Sequence, residues 1–354
     1  MKYITQFDGI RAVCIIFVFI GHWATPPIKN VIPWGNIGVY TFFVLSGYLI
    51  TSILLDLKTV MAPGPALFNF WARRILRIFP IYYLTITILL LVQHQPVSAY
   101  ATWHFTFLSN FLIMSPVGYQ DTTDHLWSLA VECQFYLFWS LIVLLVKDKY
   151  LPPIMISLLI LSPASRLALH ILGMGEIIKV FTLSSVDFLG IGALVAFNQK
   201  NRELLGFDAE NLLKTLSPLA VGGFIFIELL RNFGYHNILF SLVETSCLVL
   251  SLGWLISSVS KGMTGLSKTF LELKPIRFIG RISYGLYLYH LFVSYYLLKW
   301  FPTLSLEESP SKAWVRFTTF CMVSYMLGTV SWFFIEKPLL NLKKYFPRKK
   351  AKLV

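Results

Sequence analysis

Charge is scarce in this chain. Only 13% of its 354 residues are Asp, Glu, Lys or Arg, about half the ~25% of a soluble domain. Acidic residues are scarcer still, 17 against 30 basic ones. Cysteine is equally sparse: Cys14, Cys133, Cys247 and Cys321, with no CxxC pair and no metal-ligand spacing. That excludes a cysteine-based zinc or redox motif, and the four read as small buried apolar residues. A cleavable leader is also missing. The first apolar run holds Arg11 and His22 and ends in Ala24-Thr25-Pro26, without a small-x-small cleavage site. It reads as a retained signal anchor. No internal repeat and no low-complexity tract is present. No basic cluster is interleaved with aromatics in a soluble domain, so the net charge of +13 does not point to nucleic acid.

What fills the chain is apolar side chain: 56% of residues, with a mean hydropathy of +0.68. The apolar residues come in runs long enough to cross a bilayer. The expected fold is an all-α polytopic membrane protein with spans over 9–25, 37–56, 75–93, 125–146, 152–172, 182–198, 213–231, 238–259, 278–300 and 314–335. The sixth is the weakest. The segment from Phe105 to Met114 is too short to span and is expected at the interface or re-entering. Basic residues orient the chain. With the N-terminus inside, the outer loops hold only Lys29, Lys179, Arg231, Lys299, Lys312 and Arg316. Both termini are therefore expected in the cytoplasm. Residues 1–338 form the expected membrane domain, and 339–354 a basic cytoplasmic tail on anionic lipid headgroups.

Polar side chains inside apolar spans are costly and are usually retained for function. Arg11 and His22 lie eleven residues apart, about 1100° of helix and about 16 Å of rise. Both therefore share one face, three turns apart. One reading is a buried pair satisfied by nearby carbonyls and hydroxyls. The other is an anion-binding arginine and a histidine acting as base or nucleophile. Arg74 and Arg77, with Arg73 beside them, share a face at the cytoplasmic start of the third span. They suit fork-like phosphate binding, or are plain positive-inside charge. Pro80, near that helix start, is expected to set the entry geometry.

His125, Ser128, Glu132 and Tyr136 form one polar stripe on the fourth span. Ser283, Tyr287 and His290 form a second on the ninth. Interhelical hydrogen bonding is the bland reading of both. A metal site with Asp121 and Asp124 is the least favoured reading of the first stripe. Ser46-Gly47 permits close helix approach. Trp127 and other aromatics near the outer surface form a belt or stack on sugar faces.

Together these segments resemble the acyltransferase-3 family of bacterial membrane O-acyltransferases. The matching pieces are Arg11-x10-His22, the run Phe42 to Ile50, Arg74-x-x-Arg77 with Pro80, and His125-x-Trp127-Ser128-Leu129-x-x-Glu132-x-x-Phe135-Tyr136. Ser283 to His290 and Glu336-Lys337-Pro338 complete the set. The resemblance runs from about residue 3 to 338, in the family's order. It implies a ten-helix domain that passes an acyl group, usually acetyl, from cytoplasmic acyl-CoA to a hydroxyl of an extracytoplasmic glycan. Lipopolysaccharide O-antigen or another surface polysaccharide is the expected acceptor, and the bacterial inner membrane the expected location.

His22 matches the family's catalytic histidine, Arg11 its partner, Glu132 a fourth-span glutamate that would orient the ring, and Arg74 and Arg77 the donor-side pair. Trp127, His125, Ser128, Tyr287 and His290 would support the site or the acceptor. Acetyl-CoA is the expected co-substrate, with no metal. Two positions depart from the pattern: Cys133 stands where many relatives have a second acid, and Tyr40-Thr41 where many have an acidic residue. Many relatives also carry a C-terminal esterase-like domain. Without one, the membrane domain is expected to meet the acceptor itself or to use a partner. A glycan transporter or flippase is the rival class, and an acyltransferase of small molecules or lipids the variant within the family.

Overall fold

The computed structural model describes residues 3–235, 237–305 and 310–347. Every regular element among them is helical. Ten are long: α1 (Gln6–Trp23), α2 (Trp34–Val60), α3 (Pro63–Leu91), α4 (Leu126–Leu145), α5 (Leu151–Ile171), α6 (Val186–Leu205), α7 (Ala209–Asn232), α8 (Ile238–Lys261), α9 (Lys274–Trp300) and α10 (Pro310–Ser331). Each expected span falls on one of them. Eight are long and apolar enough to cross a membrane. The other two are α6 and α9, whose charged residues, Asp187, Lys200, Arg202 and Glu203 in one and Lys274, Arg277, Arg281 and Lys299 in the other, dilute the apolar run. Large apolar side chains such as Phe138, Ile225, Leu219 and Phe334 are exposed, which suits surfaces that face lipid.

Local chemistry sets several boundaries. Asp208 caps α7 by accepting from Asn211 N at 3.2 Å. Asn237 caps α8 from Phe240 N at 2.8 Å. Prolines occupy the first turns of α5 and α9, where their missing N–H costs nothing. The largest departure is α3. It begins at Pro63, twelve residues before the expected span, so Pro80 lies inside the helix and does not set its entry. The early start follows from Pro63 and Pro65 at the first turn and from the apolar positions Ala66 and Phe70 that it buries. The segment Phe105 to Met114, expected at the interface or re-entering, begins at the end of a short helix, Ala101–Phe105, and holds a second, Ser109–Met114.

The chain divides into two compact units. The first holds Tyr40–Leu67 and Val131–Met263. In it α2 crosses α6 backbone to backbone. A Cβ on Gly47 would stand 2.0 Å from Leu189 O, and one on Gly192 2.0 Å from Val44 O. This is the close approach expected of Ser46-Gly47. Arg166, in an apolar span, is neutralised there by Asp187 through two contacts of 2.7 Å and donates to Ser184 O at 2.9 Å.

The second unit holds Ile4–Val39, Phe68–Ala130 and the chain from Thr264. Here α1 packs along α9 so closely that a Cβ on Gly280 would stand 1.7 Å from Asp8 O. The short helices are tied to α3 by Tyr82 Oη, which donates to His104 O at 2.9 Å, and Tyr83 Oη, which donates to Phe105 O at 3.0 Å. Residues 337–347, part of which was expected in a separate tail, turn back onto α3: Asn69 Nδ2 donates to Pro347 O at 2.8 Å and Phe346 meets Phe68 edge-on. The rest of the tail, 348–354, lies outside the described residues.

His104 sits on the first of these short helices, outside the spans, and is fully buried. Burial pulls its imidazole down to about 4 from an ordinary value of 6.5. The folded ring is therefore neutral where the unfolded one charges. Its contribution to stability is full above pH 6.5, is lost as pH falls from 6.5 towards 4, and changes no further below. The window amounts to about 3 kcal/mol. Thermal unfolding of the detergent-solubilised protein should show a Tm several degrees lower at pH 4.5 than at pH 7.5. The His104→Phe variant should narrow that difference; an unchanged difference would place the acid sensitivity elsewhere.

Candidate active site

Helix α9 sets the levels of the site, because three other elements of the second unit touch it at successive turns. At its lower turns Arg281 Nε donates to Asp8 Oδ2 at 3.4 Å. One turn on, Tyr284 Oη donates to Ile78 O of α3 at 3.0 Å. Next, Tyr287 Oη meets Ser128 Oγ of α4 at 2.7 Å and donates to the carbonyl of His125 at 3.1 Å. His125 Nε2 donates to Leu288 O at 3.0 Å. At the upper end His290 meets His22 of α1, with ring centres 5.0 Å apart. From Arg281 to His290 the helix rises about 13.5 Å.

The lower level is basic. Asp8 is buried and joins two arginines, accepting from Arg11 Nη1 at 3.0 Å as well as from Arg281. Arg11 is therefore held by an acid of its own helix, one turn back. Nearby, Gln6 Nε2 donates to Glu272 at 3.0 Å. Arg74 and Arg77 stand on α3, one turn or less before the Ile78–Tyr284 contact, and both are half-buried. The Arg74 guanidinium lies 5.6 Å from the Phe70 ring centre. Arg73 faces the returning chain instead: its Nη1 donates to Lys343 O at 2.8 Å and to Phe346 O at 2.6 Å. Of the three expected donor-side arginines, Arg73 thus holds backbone carbonyls in place.

The upper level is aromatic and histidine-rich. His22 is exposed and borders a cavity of about 360 Å³, lined also by Trp23, Lys29, Ser294, Arg316 and Phe320. His290 is fully buried behind it, and its Nδ1 donates to Tyr287 O at 2.6 Å. The His125 ring also meets His290, with centres 4.8 Å apart. Three histidines therefore stand together, with His290 in contact with both of the others. The sequence placed them on three separate spans.

Five of the expected residues, His22, His125, Ser128, Tyr287 and His290, are brought together in this way. The two polar stripes do hydrogen-bond to each other, through Ser128 and Tyr287. Trp127 is half-buried beside the His125–Ser128 turn. Glu132 belongs to the first unit, where its carboxylate accepts from Ser46 Oγ, and Ser46 Oγ accepts from Tyr136 Oη at 3.1 Å. That bond ties the glutamate to α2. Among the described residues no group of His, Cys, Asp or Glu is arranged to hold a metal ion.

The sequence pattern assigned no role to Asp8, nor to Arg281, Lys29 and Arg316 beyond loop charge. Asp8 could have been found from its i, i+3 spacing to Arg11. The other three depend on which helices meet.

A basic level and a histidine level, joined along one helix of the second unit, lie in an all-helical membrane protein. The chain belongs to the acyltransferase-3 family, whose acyltransferase domain matches residues 4–334. It is similar to the peptidoglycan O-acetyltransferase OatA of Listeria monocytogenes, 29% identical over 366 residues, which cover 96% of this chain and 56% of that protein. It is also similar to the O-acetyltransferase OatA of Staphylococcus aureus, 26% identical over 391 residues, 99% of this chain and 60% of that protein. The chain spans less than two thirds of either relative's length. No solved structure matches it.

Removing the acid that joins Arg11 and Arg281 leaves two guanidiniums facing each other with less neutralisation. Asp8→Asn should cost about 1–3 kcal/mol, since Arg281 is partly solvated and part of the interaction is screened. A Tm in detergent equal to that of the unmodified protein would show that Asp8 does not hold this level together.

Proposed function

We propose that the protein is an O-acetyltransferase of the bacterial cytoplasmic membrane. It moves an acetyl group from cytoplasmic acetyl-CoA to a hydroxyl of a cell-wall glycan. The observation that carries this reading is the division of one helical unit, in a chain of the acyltransferase-3 family, into an arginine level and a histidine that borders a cavity. The excess of basic residues in alternate loops puts the arginine level on the cytoplasmic side, where CoA phosphates are. The cavity then faces the glycan side.

Arg74 and Arg77 bind the donor's phosphates, and the pantetheine arm reaches along the bundle towards His22. His22 takes the proton of the acceptor hydroxyl. The hydroxyl oxygen attacks the thioester carbonyl, the C–S bond breaks, and the CoA thiolate leaves and recovers a proton. Acylation of His22 itself before transfer uses the same atoms in two steps. Direct transfer is the simpler account, because it needs a single transfer step beside His22. The acceptor is proposed as peptidoglycan, since relatives similar over nearly the whole of this chain are named for it or for O-acetylation. The expectation of lipopolysaccharide O-antigen rested on the resemblance alone and is not carried forward.

Membranes holding the protein, given labelled acetyl-CoA and peptidoglycan fragments, should release free CoA and label the glycan. His22→Ala should lower the rate at least about 10²–10³-fold while the protein still inserts and purifies normally. Retained transfer in that variant would overturn the mechanism. A flippase would instead move labelled glycan across liposomes without consuming the thioester.

The double variant Arg74→Ala, Arg77→Ala should raise the KM for acetyl-CoA about 10-fold or more, with each lost charge-assisted contact worth ~1.5–3 kcal/mol at most. The same double variant in high salt should differ less from the unmodified protein. An unchanged KM would move the donor site elsewhere.

A further inference from the structure

The histidine cluster contains a hydrogen-bonding imbalance. His290 gives its Nδ1 proton to Tyr287 O. A neutral ring so bonded carries a lone pair on Nε2. That nitrogen is buried and has no hydrogen-bond partner among the described residues. His125 gives its Nε2 proton to Leu288 O, which leaves its own Nδ1 as a lone pair, also buried and also without a partner among them. Both nitrogens are acceptors, so the two rings, with centres 4.8 Å apart, cannot satisfy each other. A buried acceptor left unpaired costs about 1–3 kcal/mol. Among the described residues the ring N–H groups beside His290 are those of His22, with ring centres 5.0 Å apart, and the Trp23 indole, also without a partner, at the longer 5.9 Å.

Two imidazoles joined by one N–H···N bond stand about 5 Å apart between ring centres, a donor–acceptor distance near 2.9 Å plus two ring radii. The His22–His290 spacing has that value.

We propose that His290 is the positioning residue of His22: a turn of the His22 ring brings its N–H onto His290 Nε2, which accepts it and so directs the other His22 nitrogen, with its lone pair, to the cavity. The proposal rests on His22 being the base of the reaction above. It gives the ring a single tautomer before the acceptor arrives. It also gives the imidazolium formed on proton abstraction a neutral acceptor for the proton that does not move. The role expected of Glu132, orienting the His22 ring, is taken by a histidine on α9. His125 also contacts His290, and its own lone pair keeps it from donating to His290 in place of His22.

The two ring nitrogens of His290 can be tested separately, because amide side chains of different length replace them. Asn places its amide near the Nδ1 position and can keep the bond to Tyr287 O. Gln places its amide near the Nε2 position and can accept from His22 through Oε1. If His290 only packs and anchors Tyr287, His290→Asn should be the milder change. If it positions His22, His290→Gln should be milder.

The assay is acetyl-CoA turnover with peptidoglycan fragments, using full-length protein in proteoliposomes, with kcat and both KM values measured. His290→Asn is expected to lose about 10²-fold in kcat, within the range of a lost general-base contribution, with both KM values within threefold. His290→Gln is expected to stay within about 10-fold of the unmodified kcat. Full activity in the Asn variant overturns the proposal, and so does a Gln variant that accumulates normally but is as inactive as Asn. Either variant decides the matter alone if the other fails to accumulate. His22→Ala is run beside them. If His22→Ala keeps its activity, the proposed function fails; if it is inactive while His290→Asn is fully active, only the positioning role fails.

Discussion

The packing of α1 along α9 is the constraint on which the rest of the second unit depends. Gly280 permits it, since any side chain there would collide with the backbone of Asp8. Once the two helices are that close, Asp8 falls within reach of Arg281 as well as of Arg11, and His22 falls beside His290. The first contact neutralises a cluster of cations. The second places an imidazole against another at the edge of a cavity. Neither arrangement needs a loop to hold it, so both are carried by rigid elements. Tyr284 and Tyr287 then fix α3 and α4 to the same helix at intermediate levels. The result is a set of turns on α9, each assigned one neighbour.

Electrostatics explains why the two levels differ. Cations at the lower level are met by Asp8, a buried acid that lets two arginines approach each other. At the upper level the buried polar groups are rings and hydroxyls: Ser128 and Tyr287 bond each other, and one nitrogen each of His125 and His290 donates to a backbone carbonyl. Buried neutral groups with carbonyl partners are far less costly than buried charges. Charge in this unit is thus kept at the arginine level, while the buried groups at the histidine level are rings and hydroxyls. The Arg166–Asp187 pair of the first unit follows the same rule, with a buried charge answered by a bidentate partner.

Much of this was legible in the chain itself. The ten apolar runs each became one helix, because a bilayer-length run has few alternatives to a helix. The stripes at 125/128 and 283/287/290 were legible as helix faces from their spacing, and their hydrogen-bonding role was one of the two readings open. Pro80 was misplaced because the helix start depends on apolar contacts made by Ala66 and Phe70, which a hydropathy window weakened by Arg73, Arg74 and Arg77 does not register. Arg73 looked equivalent to its neighbours by spacing. It differs because residues 337–347 return to it.

The sequence by itself determined the class of the protein, the number and order of its long helices, and which side chains are too costly in an apolar span to be incidental. It determined that Arg11 and His22 share a face, since the helical period allows nothing else. Only the tertiary structure decided which of those side chains meet. Glu132 meets Ser46, His22 meets His290, and Arg11 meets Asp8 while Asp8 also meets Arg281. Helical periodicity fixes a direction around one axis. The neighbour found in that direction is set by how closely two axes approach, and here Gly280, Gly47 and Gly192 control that approach through contacts that lie far apart in the chain.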